Sequence, residues 1–169
     1  YGNRAYEDTL VELNDVAEQS GFKVIAAIAA VAEHSIMHQY AAGRPDTEDK
    51  IELNSFAKKI LEKINSDFTK FPALQIPGNR PYKKAGGAAL VPKAGNDCTN
   101  CGLCAKQCPA QAISKENLKT ADSKKCISCM RCVAQCPHSA RKVNGAMVSV
   151  AALAIKKACS VRKGNELYI

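Results

Sequence analysis

The sequence predicts an α+β protein in which a cysteine-rich, pseudo-twofold domain follows a helix-strand-helix segment. Eight of the nine cysteines fall into two copies of one spacing, C-x2-C-x2-C-x3-C-P: Cys98, Cys101, Cys104, Cys108-Pro109, then Cys126, Cys129, Cys132, Cys136-Pro137. A shift of 28 residues also lays Gln107 on Gln135 and Ala112 on Ala140, as expected of two like units packed about a pseudo-twofold axis. Ahead of the repeat, two stretches of helical periodicity flank one short apolar run.

The chain opens Tyr1-Gly2-Asn3-Arg4 and passes directly into a predicted helix. Ala5, Leu10, Leu13, Val16 and Ala17 recur at helical spacing, Glu7 and Asp8 suit the positive end of the helix dipole, and Ser20-Gly21 closes the helix. The run from Phe22 to Ala32 follows a turn glycine. Its alanines also suit a helix, but its length and position favour a buried strand. After Gly43-Arg44-Pro45, Asp46 caps a second helix of about twenty residues, with Ile51, Phe56, Ala57, Ile60, Leu61 and Ile64 on one face. One strand between two helices has no ladder partner and leaves apolar faces bare. Residues 1–67 therefore read as the last part of a larger α/β unit, expected to pair with another copy of the chain.

Residues 68–97 carry Pro72, Pro77, Pro81 and Pro92 with Gly78, Gly86, Gly87 and Gly95, a composition that forbids a long regular element. They read as a linker wrapping the cysteine-rich domain, with Ala88 to Pro92 as a first short strand. That domain is placed at 91–143. Residues 144–169 follow as a C-terminal helix and tail, the helix running from Met147 to Ala158 with Lys156-Lys157 in its last turn.

Four cysteines within eleven residues, given twice, supply enough thiolate for two 4Fe-4S clusters. Three ligands at x2 spacing wrap one face of a cube. The fourth is too close along the chain to reach the same cube, and its proline turns it toward the other one. The expected ligands are thus Cys98, Cys101, Cys104 and Cys136 for cluster I, and Cys126, Cys129, Cys132 and Cys108 for cluster II. A structural zinc site pairs two knuckles across a longer gap, and a secreted disulfide scaffold spreads its cysteines through a small domain, so neither describes this pattern.

Other chemistry-bearing residues have plainer readings. Cys159 stands alone and reads as a small core residue. His34 and His38 lack a third ligand and read as loop residues, and His138, beside Cys136-Pro137, reads as a surface residue within reach of a cluster sulfur. Arg141 stands where the first copy has Ile113, and is expected on the surface at the domain edge.

The formal charge is +8, with 5% aromatic residues and no tryptophan. Coordinated thiolates and oxidised cluster cores would bring the charge to about +4. The basic pairs, such as Lys83-Lys84, Lys124-Lys125 and Lys156-Lys157, are dispersed. This argues against nucleic acid and leaves an acidic redox protein as the expected partner. The apolar run from Val24 to Ala32 is too short to span a bilayer and no signal peptide is evident, so no membrane role is expected. A reducing cytoplasm suits free thiolates and oxygen-sensitive clusters.

From about residue 91 to 143 the chain resembles a bacterial two-cluster 4Fe-4S ferredoxin. Tyr1-Gly2-Asn3-Arg4-x-Tyr6, with the following helix, strand and Ala41-Ala42-Gly43-Arg44-Pro45-Asp46, is similar to the C-terminal part of a flavodoxin. As a whole, through the terminal Arg162-Lys163-Gly164-Asn165-Glu166-Leu167-Tyr168-Ile169, it resembles the flavodoxin/ferredoxin fusion proteins of anaerobic bacteria, the EFR-family ferrodoxins, truncated at the N-terminus. The resemblance implies a ferredoxin-like domain preceded by a C-terminal remnant of a flavodoxin-like domain, with Tyr1, Gly2, Asn3 and Tyr6 facing a flavin. A flavodoxin cradles the FMN phosphate in its first strand-to-helix loop. No such loop occurs here, so FMN is expected only in a full-length form. The implied function is electron transfer by a carrier that is not itself an enzyme. An FMN-dependent reductase in the full-length form, or a cluster-based redox sensor, is the alternative.

Overall fold

A computed structural model of the chain describes residues 2–66, 71–84 and 90–169. In chain order its elements are α1 (Thr9–Gln19), β1 (Ala27–Ala29), α2 (Thr47–Ile64), β2 (Lys93–Ala94), α3 (Leu103–Lys106), α4 (Arg131–Ala134), β3 (Arg141–Lys142), α5 (Gly145–Cys159) and β4 (Glu166–Tyr168). Helices beside two small antiparallel sheets, β1-β4 and β2-β3, make an α+β protein. The described residues of 1–34, 38–84 and 156–169 form one compact unit, and those of 35–37 and 85–155 form a second.

In the first unit, Asp46 starts α2 as its spacing predicts. The Asp46 carboxylate accepts from the Asp49 N–H at 3.0 Å, and the Asp49 carboxylate accepts from the Asp46 N–H at 2.9 Å. This reciprocal box satisfies donors that a helix start leaves without partners. Asp49 is also bound in fork geometry by Arg44, and both side chains are buried. Arg44 in turn donates to the Lys163 carbonyl at 2.6 Å.

The expectation of a strand without a ladder partner is overturned, because the C-terminal tail supplies one. β4 pairs antiparallel with β1, Ala27 opposite Tyr168, Ile28 opposite Leu167 and Ala29 opposite Glu166. The strand expected from Phe22 to Ala32 shrinks accordingly to the stretch its short partner can match. Asn165 extends the join: its side-chain oxygen accepts from Val31 N–H at 2.8 Å, and its amide donates to Asp49 at 3.0 Å.

The apolar faces expected on both helices are also corrected. On α1 the buried residues are Val11 and Asn14, while Leu13 is 60% exposed and Val16 is exposed as well. On α2 Phe56 is buried, but Ile51 is 67% exposed and Leu61 is exposed too. The covering of α1 comes from residues 71–84, which hold no helix or strand. Gly78, at φ +146°, approaches Val11 so closely that an added Cβ would lie 2.3 Å from Cγ1. Asp8 accepts from Asn79 N–H and Lys83 N–H, each at 2.8 Å, and Asp15 accepts from the Arg80 guanidinium and the Tyr82 hydroxyl. Of the stretch 68–97, expected to wrap the cysteine-rich domain, residues 79–83 thus bond to α1 and the turn before it, while Leu90, Pro92, Ala94 and Gly95 bond to residues of the cysteine-rich domain.

In the second unit the first strand is β2, two residues beyond the span from Ala88 to Pro92; positions 88 and 89 lie outside the described residues, and 90–92 are not strand. β2 pairs antiparallel with β3, Lys93 opposite Lys142 and Ala94 opposite Arg141. One strand precedes the first copy of the repeat and the other follows the second. Leu90, Ala112, Ile113, Met130 and Ala140 are among the buried apolar residues of this unit. α5 forms where helical periodicity predicts, and the boundary between the units falls within it.

Candidate metal centre

The two copies of the cysteine repeat fold alike because their backbones turn at the same places. Left-handed residues recur at an offset of 28: Asn100 with Ser128, Gly102 with Met130, and Gln111 with Ser139. Gly102 and Met130 are the N-caps of the one-turn helices α3 and α4, which carry Cys104 and Cys132. Past each helix, Cys108 O accepts from Gln111 N–H at 3.1 Å and Cys136 O from Ser139 N–H at 3.0 Å. These turns aim Ala112 N–H at Cys108 Sγ and Ala140 N–H at Cys136 Sγ, each at 3.3 Å.

Two cavities result, each lined by four cysteines. Cys126, Cys129, Cys132 and Cys108 line the first, with Pro92, Ala112, Ile113 and Met130, around about 370 Å³ that includes solvent at its mouth. Cys98, Cys101, Cys104 and Cys136 line the second, with Leu103, Leu118, Ala140 and Arg141, around about 330 Å³ counted the same way. Each cavity thus takes three cysteines from one copy and the fourth from the other. All nine cysteines are free thiols. Among the described residues, no three His, Cys, Asp or Glu side chains form a group able to hold a single metal ion. A four-iron cube spreads its thiolates farther apart than one tetrahedral ion does, and soft thiolates in an apolar wall suit it chemically.

The environment of the thiols differs between positions. Burial pushes the Cys132 thiol up, opposed by the charge of Arg141. For Cys136, burial acts upward too, but backbone N–H groups of His138, Ala140 and Arg141 outweigh it and hold the thiol below its ordinary value.

Arg141 is the main correction at the site. Far from lying at the domain edge, it is 2% exposed and lines the second cavity. Its guanidinium donates to Leu118 O at 2.5 Å and Pro92 O at 2.9 Å, and lies 3.7 Å from Cys104 Sγ. The signal was present in the 28-residue offset, which sets Arg141 on Ile113, a residue 6% exposed in the wall of the first cavity. Residue type argued for the surface, whereas position in the repeat argued for the interior, and position prevails.

The remaining candidates have their own settings. Cys159 is buried, and its carbonyl accepts from the Asn3 side chain at 2.7 Å. Asn3 is itself buried, donating also to Val161 O at 2.7 Å and accepting from Lys163 N–H at 3.1 Å. Tyr6 OH lies 2.5 Å from Tyr168 OH and also bonds Glu166; burial first, then these bonds, push its hydroxyl far above its ordinary value. Gly2 packs on His34, within 2.8 Å of where a Cβ would stand, and Tyr1 lies outside the described residues. His38 bonds Glu33 at 2.5 Å, and His138 is exposed at the rim of the second cavity.

Residues 97–141 match the family model of the 4Fe-4S dicluster domain. This part of the chain is accordingly an iron-sulfur, metal-binding domain of ferredoxin type, whose chemistry is electron transfer. Searches of the curated proteins and of the solved structures return no significant match. Among the described residues, no helix is long and apolar enough to cross a membrane.

Proposed function

We propose that the chain carries electrons one at a time through two 4Fe-4S clusters, one held by Cys98, Cys101, Cys104 and Cys136, the other by Cys126, Cys129, Cys132 and Cys108. The observation that carries this reading is the interlocked lining of the two cavities, three cysteines from one copy and one from the other. When bound, such clusters supply one-electron redox chemistry with little reorganisation. The protein's part is to fix the thiols by left-handed turns, to direct Ala112 and Ala140 N–H at the crossing sulfurs, and to wall the sites with apolar side chains. Anaerobic reconstitution with metal, sulfide and flavin counted per chain tests it. About eight irons and about eight sulfides support the reading. Zinc as the stoichiometric metal, or about four irons per chain, overturns it.

A second reading concerns residues 1–67: a flavodoxin-like segment of the fusion-protein kind, with Tyr1, Gly2, Asn3 and Tyr6 near a flavin and a homo-oligomer formed through this segment. Exposed Leu13, Val16, Ile51 and Leu61 on α1 and α2 favour it, because a wider sheet or a second copy would cover them. A concentration-independent monomer by light scattering counts against the oligomer. The net positive charge favours an acidic redox protein in a reducing cytoplasm as the partner, and loss of that partner's binding as salt rises is the test.

A further inference from the structure

Arg141 is buried beside the cysteine cavities without a carboxylate to pair it. Its Nη groups are satisfied by Leu118 O and Pro92 O, while Nε is buried with no hydrogen-bond partner among the described residues. It forms no salt bridge among them either. Two carbonyls satisfy donors but do not balance a charge, and an unbalanced buried guanidinium is costly. The charge that does balance it is on the sulfurs. Nη1 lies 3.7 Å from Cys104 Sγ, in the set of Cys98, Cys101, Cys104 and Cys136.

We propose that Arg141 tunes the reduction potential of the cluster site of Cys98, Cys101, Cys104 and Cys136, its buried positive charge stabilising the electron that arrives from an external one-electron donor and so raising the potential above what the cysteines alone would give. The proposal rests on the cluster reading above. Four thiolates around an oxidised core leave about two negative charges at each site, and the added electron makes about three. No bond to the protein forms or breaks in that step. A cation close by, screened from water by Leu118, Pro92 and the apolar walls, favours the more negative state. Ile113, the counterpart of Arg141, brings no charge to the other cavity, so the larger effect belongs to the site of Cys98, Cys101, Cys104 and Cys136.

The test is an EPR-monitored redox titration of the reconstituted full chain, with iron counted in each preparation. Arg141→Gln is expected to retain iron and to lower the reduction equilibrium constant about tenfold or more at the more affected site, about 59 mV for one electron. Arg141→Lys, which keeps the charge, is expected to hold most of the wild-type potential. Wild-type iron content in Arg141→Gln with unmoved potentials overturns the proposal and leaves the cluster reading standing. A wild-type chain that takes up no iron overturns both. Where Arg141→Gln fails to load, the chain labelled with 15N-guanidino arginine decides, in an Arg131→Lys background because Arg131 also lines a cavity. A 15N hyperfine coupling on the reduced-cluster signal supports the proposal, and its absence overturns it.

Discussion

In the first copy of the cysteine repeat the residue after Ala112 is Ile113, and in the second the residue after Ala140 is Arg141. Both are buried, each lines one of the four-cysteine cavities, and the backbones leading to them share left-handed turns at matching positions. The difference separates two jobs. Placement of the thiols belongs to the backbone pattern, which the copies share. The electrostatic setting of each site belongs to one side chain, which they do not.

Breaking the shared part produces the largest effect. Cys136→Ser and Cys108→Ser each remove the cysteine that crosses from one copy into the other's cavity. Each variant is expected to fall from about eight irons per chain to about four, by iron and sulfide assay after anaerobic reconstitution. Loss of all iron from one variant and none from the other would break the equivalence of the copies.

Asp49→Asn sharpens the comparison from outside, because Asp49 belongs to the other unit. Removing one partner of its buried pair with Arg44 is expected to cost about 3–5 kcal/mol in denaturant unfolding of that unit, with iron content unchanged. The hydrogen bond from Arg44 holds the Asp49 carboxyl well below the usual carboxylate range. A depressed folded value means that the pair's stability is complete above the ordinary value, 3.8, and is lost as pH falls through the folded one. Asp49→Asn should therefore flatten the acid side of the stability profile.

Exchange at the divergent position comes next, at about tenfold in a reduction equilibrium. Ile113→Met, which adds no charge, is expected to leave both potentials near wild type, in contrast to Arg141→Gln in the same titration. The smallest effect is at the turns. Gly102 adopts φ +77° with open space where a Cβ would stand, so Gly102→Ala meets no clash and is expected to cost about 1 kcal/mol in thermal loss of cluster absorbance.

The α+β class, the capped helix at Asp46, a helix over Met147 to Ala158 and the cysteine repeat were legible because each rests on local spacing. What escaped depends on partners distant in sequence. The ladder between β1 and β4 joins Ala27 to Tyr168, and nothing near Ala27 announces it. Val11 replaces Leu13 as the buried apolar residue of α1 because Gly78 lets the chain close over that point. The cysteine repeat could be read from spacing, but the placement of Arg141 needed the offset weighed above residue type. Its carbonyl partners, Leu118 and Pro92, lie 23 and 49 residues away.

The central claim is that two clusters sit side by side on interlocked ligands. Spin integration of the EPR spectrum of the fully reduced, reconstituted full chain tests it most directly. The account predicts about two spins per chain in a broad signal shaped by magnetic coupling between neighbouring clusters. A single narrow signal of about one spin per chain would contradict it.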